Sequence, residues 1–253
     1  MAKGISVKFK SYLETIPRML EVLKLEKELQ KHNKIVLKPS IKNSSSNNTS
    51  PEFVEEILKF CSKNKNPNAE IFIAEGSDGE DTMELFESLG YKSLAERYSV
   101  GLIDLNNTEV EEVINGDFLK FNKIFYPKIL LESFVISLPK LSEDAETVVA
   151  GALSNMLGAF PARFYKGFLS RTKSKIRNWP MKYSIHDILK CKLPDLAIID
   201  ASDKGSILVG RPLEMDKQAV KLLSKDWKSV PYIRLIDESF SSSEANKIKD
   251  SVQ

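Results

Sequence analysis

Two lysines in this sequence stand where an apolar run ends beside a proline. Lys38 closes the run KIVL, and Lys140 comes just after FVISL. In open α/β sheets, ligands bind where the carboxyl ends of strands meet the following turns. Two ammonium groups there would hold a phosphate or a carboxylate, with Ser77 and Asn155 adding hydrogen bonds. The alternative is that both lysines are solvated beside turns.

Carboxylates follow the same strand ends. Glu75 ends the run EIFIA and Asp78 follows it, while Glu143, Asp144 and Glu146 come after the second lysine. Such groups bind Mg²⁺ or Ca²⁺, or hold a proton for acid–base catalysis when the pKa is raised. Glu75 and Asp144 are the candidates for a metal or catalytic role. The alternative is that Glu143 and Asp144 begin a helix, where negative charge is favourable.

The segment 162–182 has seven basic residues, no acidic one, and four interleaved aromatic residues. Cations that neutralise phosphates beside rings that stack on bases are typical of nucleic-acid binding. In that interpretation the contacts come from Arg171, Lys173, Lys175 and Arg177. Two other interpretations stay open. The segment is a lid over an anionic ligand, or a solvated connector whose rings pack on the body of the protein.

Composition excludes several other kinds of site. The net charge is +2, so no broad electrostatic preference for a partner is expected. Cys61 and Cys191 are too few for a disulfide framework, a zinc knuckle or a four-cysteine iron–sulfur cluster within this chain. His32 and His186 are isolated, so a catalytic triad is not expected, and His186-Asp187 is interpreted as a helix start. With no signal-like apolar start and no run near the roughly 18 apolar residues of a membrane span, we expect a cytoplasmic protein that does not contact membranes.

Apolar runs alternate with helical patterns through the first hundred residues. The runs KIVLK, EIFIAE and VGLIDL predict strands, and Ser50-Pro51-Glu52 predicts a helix start, since serine caps a helix and proline fits its first turn. This alternation predicts an α/β fold with a mainly parallel central sheet flanked by helices.

The alternation is interrupted after residue 105. Asn115-Gly116 predicts an inserted β-hairpin at about 108–126. Leu130–Leu138 then predicts a return to the sheet, and Asp144–Leu157 predicts a helix of small residues. We expect one α/β domain over residues 1–240 and a polar tail over 241–253.

Short pieces spread over roughly Val36 to Ser239 resemble, by their order and spacing, the domain-of-unknown-function family 362. They include Leu37-Lys38-Pro39, Ile73-Ala74-Glu75-Gly76-Ser77, Gly90-Tyr91, Asp104-Leu105-Asn106, Pro139-Lys140-Leu141, Gly151-Ala152 and Asp195-Leu196-Ala197-Ile198-Ile199-Asp200.

The resemblance implies little biochemistry, because the family is largely uncharacterised. Its members are often associated with iron–sulfur clusters through an appended ferredoxin module, which is not expected in this chain. The family motif Pro-Lys-x-Lys-Thr-His is followed by a Gly-Ala helix with Lys-Asn and a glycine, and a fainter likeness links it to the nickel-dependent lactate racemase. Six residues here fit that motif and four depart from it. Those that fit are Pro139, Lys140, Gly151, Ala152, Asn155 and Gly158; those that depart are Ser142, Glu143, Asp144 and Ser154.

We therefore expect a small anionic ligand at the carboxyl edge of the sheet, bound by Lys38, Ser77, Lys140 and Asn155, with a divalent cation as a further candidate. One alternative is a nucleic-acid-associated module that uses the segment 162–182. Another is a non-catalytic subunit or scaffold. The sequence leaves open whether the protein is an enzyme and what its oligomeric state is.

Overall fold

In a computed structural model of the chain, residues 4–42 and 47–250 are described, with only the backbone described for 241–250. The strands are β1 Gly4–Lys8, β2 Lys34–Pro39, β3 Glu70–Glu75, β4 Gly101–Asp104, β5 Val110–Val113, β6 Ile124–Pro127, β7 Phe134–Leu138, β8 Ser142–Asp144, β9 Val148–Ala150, β10 Leu196–Ala201 and β11 Ser206–Gly210. The α-helices are α1 Tyr12–Val22, α2 Glu26–Leu29, α3 Pro51–Asn64, α4 Thr82–Ser88, α5 Tyr91–Tyr98, α6 Lys128–Glu132, α7 Ala162–Tyr165, α8 Met181–Cys191, α9 Pro212–Leu222 and α10 Pro231–Asp250.

Seven of these strands form one sheet, in the order β1-β11-β10-β7-β2-β3-β4. The five strands from β10 to β4 are parallel to one another, and β11 is antiparallel to both β10 and β1. The predicted α/β class with a mainly parallel sheet is confirmed. Because β7, β2 and β3 are neighbours, their carboxyl ends lie side by side at one edge.

The two faces of the sheet are covered by separate hydrophobic cores. Alternate residues of a strand point to opposite faces, so Ile35 and Leu37 join one core and Val36 joins the other. Helices α1, α3 and α5 pack on the first face, and α8, α9 and α10 pack on the second. Since both faces are covered, the central strands are apolar throughout, and their polar residues concentrate at the strand ends.

Local capping explains where several helices begin. The Ser50 hydroxyl accepts a hydrogen bond from the Phe53 backbone N–H at 3.3 Å, and Pro51 occupies the first turn, as predicted. Asp81 caps α4 through the backbone N–H groups of Met83 and Glu84. These caps fix the start of each helix shortly after the carboxyl end of a strand.

The helix predicted over Asp144–Leu157 is wrong. Strands β8 and β9 form an antiparallel hairpin there, followed by a 3-10 helix over Ser154–Ala159. The Asp144 carboxylate accepts from the backbone N–H groups of Glu146 and Thr147, which makes a turn in place of a helix start. The β-branched residues that follow favour a strand.

The inserted hairpin is present, but its turn differs from the prediction. Strands β5 and β6 pair antiparallel in a separate two-stranded sheet. Asn115-Gly116 does not join them directly, because the Asn115 side chain bonds the Asp117 N–H and the Lys190 carbonyl within a longer connection. The strand predicted over Leu130–Leu138 is shorter in the structure, since its first residues belong to α6.

Two further predictions, for His186-Asp187 and for the C-terminal tail, differ from the structure. His186-Asp187 lies inside α8 and does not start it. The polar tail expected from residue 241 is helical in its backbone as far as Asp250, and residues 251–253 lie outside the described residues. None of the helices in the described part of the chain combines the length and apolar character needed to cross a bilayer.

Asp187 holds the β5–β6 connection onto α8. Its fully buried carboxylate accepts from the backbone N–H groups of Leu119, Lys120 and Phe121 at 2.8, 2.8 and 3.0 Å. Burial alone would raise the pKa of Asp187, but His186 and these three N–H groups outweigh burial and lower the pKa.

We therefore expect Asp187→Asn to lower the free energy of unfolding by about 2–3 kcal/mol, because the new amide donor would face buried N–H donors. Urea unfolding followed by circular dichroism measures this. The control is Asp203→Asn, since Asp203 has 68% side-chain exposure and pairs with Lys140 outside this connection. Equal effects of the two substitutions would show that the buried carboxylate does not hold the connection.

Candidate functional site

A cavity of about 250 Å³ opens at the carboxyl ends of β2 and β3. The hairpin β8–β9, the 3-10 helix Ser154–Ala159 and the segment 173–177 complete its wall. Its polar and glycine lining residues include Ser40, Lys42, Glu75, Gly76, Asp78, Asp144, Glu146, Thr147, Gly151, Ser154, Asn155, Gly158, Lys173 and Arg177.

Three of the predicted site residues form one buried cluster at the inner end of this cavity. The Lys38 ammonium, which is fully buried, donates to the two Glu75 carboxylate oxygens at 3.0 and 2.9 Å. It also donates to the backbone and side-chain oxygens of Asn155 at 2.8 and 3.1 Å. Asn155 returns a hydrogen bond to the Lys38 carbonyl and one to the Ser137 hydroxyl, each at 3.0 Å. Lys38 therefore joins two strands to the 3-10 helix.

Burial lowers the pKa of Lys38, and attraction to Glu75 opposes this effect. Because Lys38 already has four acceptors within the protein, it is not the free ligand-binding cation that the sequence suggested. Its role in the structure is to orient Glu75 and Asn155 at the cavity wall.

Two glycines allow this cluster to pack tightly. A Cβ at Gly158 would collide with the Glu75 carboxylate and would lie 2.7 Å from the Lys38 ammonium. A Cβ at Gly76 would collide with the Gly158 carbonyl. The absence of a side chain at these two positions therefore lets the backbone that lines the cavity approach the Lys38–Glu75 pair closely.

A second buried lysine, Lys173, lies beside the first cluster. It is 1% exposed, and its ammonium donates to the carbonyl oxygens of Gly76 at 2.6 Å and Gly158 at 3.3 Å. In the described part of the chain its hydrogen-bond acceptors are these carbonyls and no carboxylate. Burial lowers the pKa of Lys173 to about 8, although Glu75 and Asp78 oppose the shift.

Arg177 closes the solvent side of the cavity. Its guanidinium pairs with Asp78 at 2.7 Å and makes two hydrogen bonds to Glu146, at 2.7 and 2.9 Å. Asp78 also accepts from the Lys173 backbone N–H at 2.6 Å. The segment 173–177 is thus fastened to β3 and to the β8–β9 hairpin by charged groups.

Asp144 lies in the β8–β9 hairpin part of the wall, where it accepts from the Glu146 N–H. It pairs with Lys42 and accepts from the Thr147 N–H and hydroxyl, each at 2.8 Å. Burial would raise the pKa of Asp144, but Lys42 and Thr147 outweigh burial and bring the pKa to about 2. The group is therefore a carboxylate at neutral pH and does not carry the proton that the acid–base interpretation requires.

The Gly-Ala pair that follows this hairpin is anchored from α9. The buried Asp216 carboxylate accepts from the N–H groups of Ala152 and Leu153 at 2.6 and 3.1 Å. A Cβ at Gly151 would lie 2.6 Å from one of its oxygens. Burial raises the pKa of Asp216 to about 7, because desolvation outweighs its hydrogen bonds. Asp216 fixes the backbone from which Ser154 and Asn155 reach the cavity.

Two residues predicted to bind a ligand are not part of the described cavity wall. The Ser77 hydroxyl is buried and donates to the Ile41 carbonyl at 3.0 Å, so it holds the loop after β2. Lys140 pairs with Asp203 at 3.0 Å and is not part of the described cavity wall. The reason is that β10 lies on that side of β7, and Lys140 continues the sheet by bridging to Asp200.

The four cations proposed for nucleic-acid binding are divided by the structure. Lys173 is buried and Arg177 is held by two carboxylates, so both belong to the cavity. Lys175 is exposed and donates to the Phe164 carbonyl at 2.9 Å, and Arg171 is exposed. Residues 173–177 line part of the cavity, and Phe164 and Tyr165 pack on the second core, so the lid interpretation stays a prediction.

The described residues contain no group of three or more His, Cys, Asp and Glu side chains placed to share a metal ion. Glu75 and Asp144 each face a lysine, so their negative charge is already compensated.

Elsewhere, His186 contacts Asp187 at 2.8 Å and Ser239 at 2.9 Å, a chain of groups that the sequence did not predict. Those residues lie outside the cavity wall.

Sequence reasoning missed the roles of Lys42 and Lys173 in the cavity. The lack of acidic residues in 162–182 made Lys173 look like part of an exposed basic surface. The signal that could have indicated a buried Lys173 was an acidic residue at a distant strand end, not the residues beside it in the sequence. Asp78, which follows the β3 strand end, binds the Lys173 backbone and pairs with Arg177.

Because Gly158 contacts both members of the buried ion pair, we expect Gly158→Ala to lower the free energy of unfolding by about 1–3 kcal/mol through overpacking. Thermal and urea unfolding measure the effect. Gly116→Ala is the matched control, since a Cβ there would have no atom within 4 Å. If Gly158→Ala were as stable as the control, the close approach of this backbone to Lys38 and Glu75 would be ruled out.

Comparisons with known proteins agree with this architecture. No curated protein gives a match to the chain. The solved apoprotein of lactate racemase from Thermoanaerobacterium thermosaccharolyticum is similar, with a TM-score of 0.58 and 16% identity, over 88% of this chain and 57% of that chain. A protein from Thermotoga maritima is similar with a TM-score of 0.49 and 12% identity, over 87% of this chain and 61% of that chain.

The likeness to the racemase apoprotein is one of fold, and this chain spans little more than half of that protein's length. The family model described as "Domain of unknown function (DUF362)" matches residues 35–224, which confirms the resemblance found in the sequence motifs. The chain belongs to the DUF362 family.

Proposed function

We propose that the cavity binds a small molecule with a carboxylate or phosphate group, and that Lys173 is the cation that meets this group. The observation that carries the proposal is the charge at the buried end of the cavity. Two lysines lie there with one carboxylate, since Glu75 is bound to Lys38 and Lys173 meets only backbone carbonyls among its described acceptors. An unpaired buried charge is costly, and an anion in the cavity would compensate it.

The neighbouring polar groups support the same ligand class. Ser154 and Asn155 line the cavity, and Lys42 borders it with about half of its side chain exposed. A hydrogen bond between charged groups is stronger than one between neutral groups, and the buried position of Lys173 reduces its screening by water. The pairing of each candidate metal carboxylate with a lysine favours an organic anion over a divalent cation.

Nucleic-acid binding through 162–182 has less support, because two of the four cations assigned to it, Lys173 and Arg177, are engaged in the cavity. A scaffold without a ligand has no specific observation in its favour. Whether a bound molecule is converted is a separate question from whether it binds.

Lys173→Met should weaken anion binding by about 10- to 100-fold, because it removes a charged hydrogen bond worth about 1.5–3 kcal/mol. Isothermal titration calorimetry with inorganic phosphate, acetate, propionate and lactate measures this. Lys175→Met is the control, since it removes an exposed cation from the same segment. A folded Lys173→Met variant that keeps the affinity of the wild type would refute the proposal, as would the absence of any anion binding.

The affinity for the anion should also fall as the pH rises through about 8, because burial lowers the pKa of Lys173 to about 8. Below that pH the lysine is charged and binds the anion, and above it the neutral amine does not. Binding should raise the pKa of Lys173 and take up protons near pH 8, which calorimetry in two buffers of different ionisation enthalpy detects. An affinity that stays constant from pH 7 to 9.5 would contradict this role for Lys173.

A further inference from the structure

The charges around the cavity are balanced in number but not in position. Among the described residues, three cations and four carboxylates line it, and a fourth cation pairs with the lining residue Glu75. The cations are Lys38, Lys42, Lys173 and Arg177, and the carboxylates are Glu75, Asp78, Asp144 and Glu146. Their exposure divides them into a buried group and a solvent-side group.

The buried end carries one excess positive charge. Lys38, Lys173 and Glu75 are all at most 3% exposed, and they contribute two positive charges and one negative charge. Burial lowers the pKa of Lys173 to about 8, and the attraction of Glu75 and Asp78 does not restore it to its usual range.

The open end carries one excess negative charge. Lys42 and Asp144 pair one to one, but the single guanidinium of Arg177 is shared by Asp78 and Glu146. The Glu146 side chain is 49% exposed and that of Asp78 is 26% exposed, so both carboxylates face the solvent side. A carboxylate has about four acceptor positions, and these two therefore retain the capacity to accept from another donor.

We propose that the ligand of this cavity is dipolar, with its anionic group at Lys173 and an ammonium group at the Asp78–Glu146 side. Small amino acids, including those with the amine and the carboxylate at opposite ends, belong to this class. This inference rests on the proposed anion site and adds the second charge. Electrostatic complementarity of this kind selects and orients a ligand, because the reversed molecule would place like charges together at both ends.

Three pairs of probes test the inference, since the members of each pair differ by one ammonium group. The pairs are glycine and acetate, β-alanine and propionate, and 4-aminobutyrate and butyrate. Calorimetry at pH 7 and low salt should show at least one amino compound binding about 10-fold more tightly than its matched acid. The advantage should fall as salt is added, because the open end is accessible to solvent.

Substitutions separate the two ends. Glu146→Gln should remove most of the advantage of the amino compound while the plain acid binds at least as tightly as before. Lys173→Met should weaken both members of a pair. Glu143→Gln is the control, because Glu143 pairs with Lys225 and is not part of the described cavity wall.

The outcomes distinguish this inference from the function on which it rests. If the plain acids bind through Lys173 and no amino compound binds more tightly, the dipolar ligand is ruled out and the anion site stands. If an amino compound keeps its full advantage in Glu146→Gln, the ammonium position is wrong and the inference fails. If neither acids nor amino compounds bind, both the inference and the anion site fail.

Discussion

The ion pair between Lys38 and Glu75 is the interaction on which the geometry of the site depends. It joins the ends of two parallel strands, and its remaining hydrogen bonds reach the 3-10 helix through Asn155. A buried ion pair is costly unless its lone pairs and protons are satisfied, and here each group has additional partners. Removing one member would leave the other charged and buried. The pair therefore fixes three chain segments relative to one another.

Around this fixed pair, the structure places a second lysine without a carboxylate of its own. That asymmetry gives the cavity a direction, since one end is buried and positive and the other is solvated and negative. Charged groups in a buried environment interact more strongly than the same groups in water. The excess at the buried end consequently has more influence on what binds than an equal excess at the open end.

The strands, and the edge of the sheet at which polar residues gather, could be predicted because they follow from local sequence patterns. The apolar runs predicted β2 and β3 almost to the residue, and Ser50-Pro51 marked the start of α3. The helix predicted from Asp144 did not form, because the Asp144 carboxylate closes a turn and the β-branched valines that follow favour a strand. The sequence also indicated that Lys38, Glu75 and Asn155 would come together.

The rest of the site depends on contacts between distant parts of the chain, which no local pattern reveals. Lys173 is buried because its segment contacts residues that are distant in the sequence. Asp78 accepts from the Lys173 backbone N–H, and the carbonyls of Gly76 and Gly158 accept from the Lys173 ammonium. Lys140 lies outside the cavity because the preceding strand, β7, has β10 as its neighbour on that side, and Lys140 pairs with Asp203 there. Spacing along the sequence cannot distinguish these two lysines, whereas the order of strands in the sheet can.

One consequence concerns how a bound molecule would leave. Lys38 and Glu75 belong to strands, but Lys173 and Arg177 belong to a connecting segment that is held by their charged groups and by the buried Ile176 side chain. If that segment lifts, the cation that holds the ligand departs with it, and water reaches the remaining ion pair. Release and loss of affinity would then be a single event, so the residence time of the molecule would be set by the opening rate of the segment rather than by the strength of its contacts.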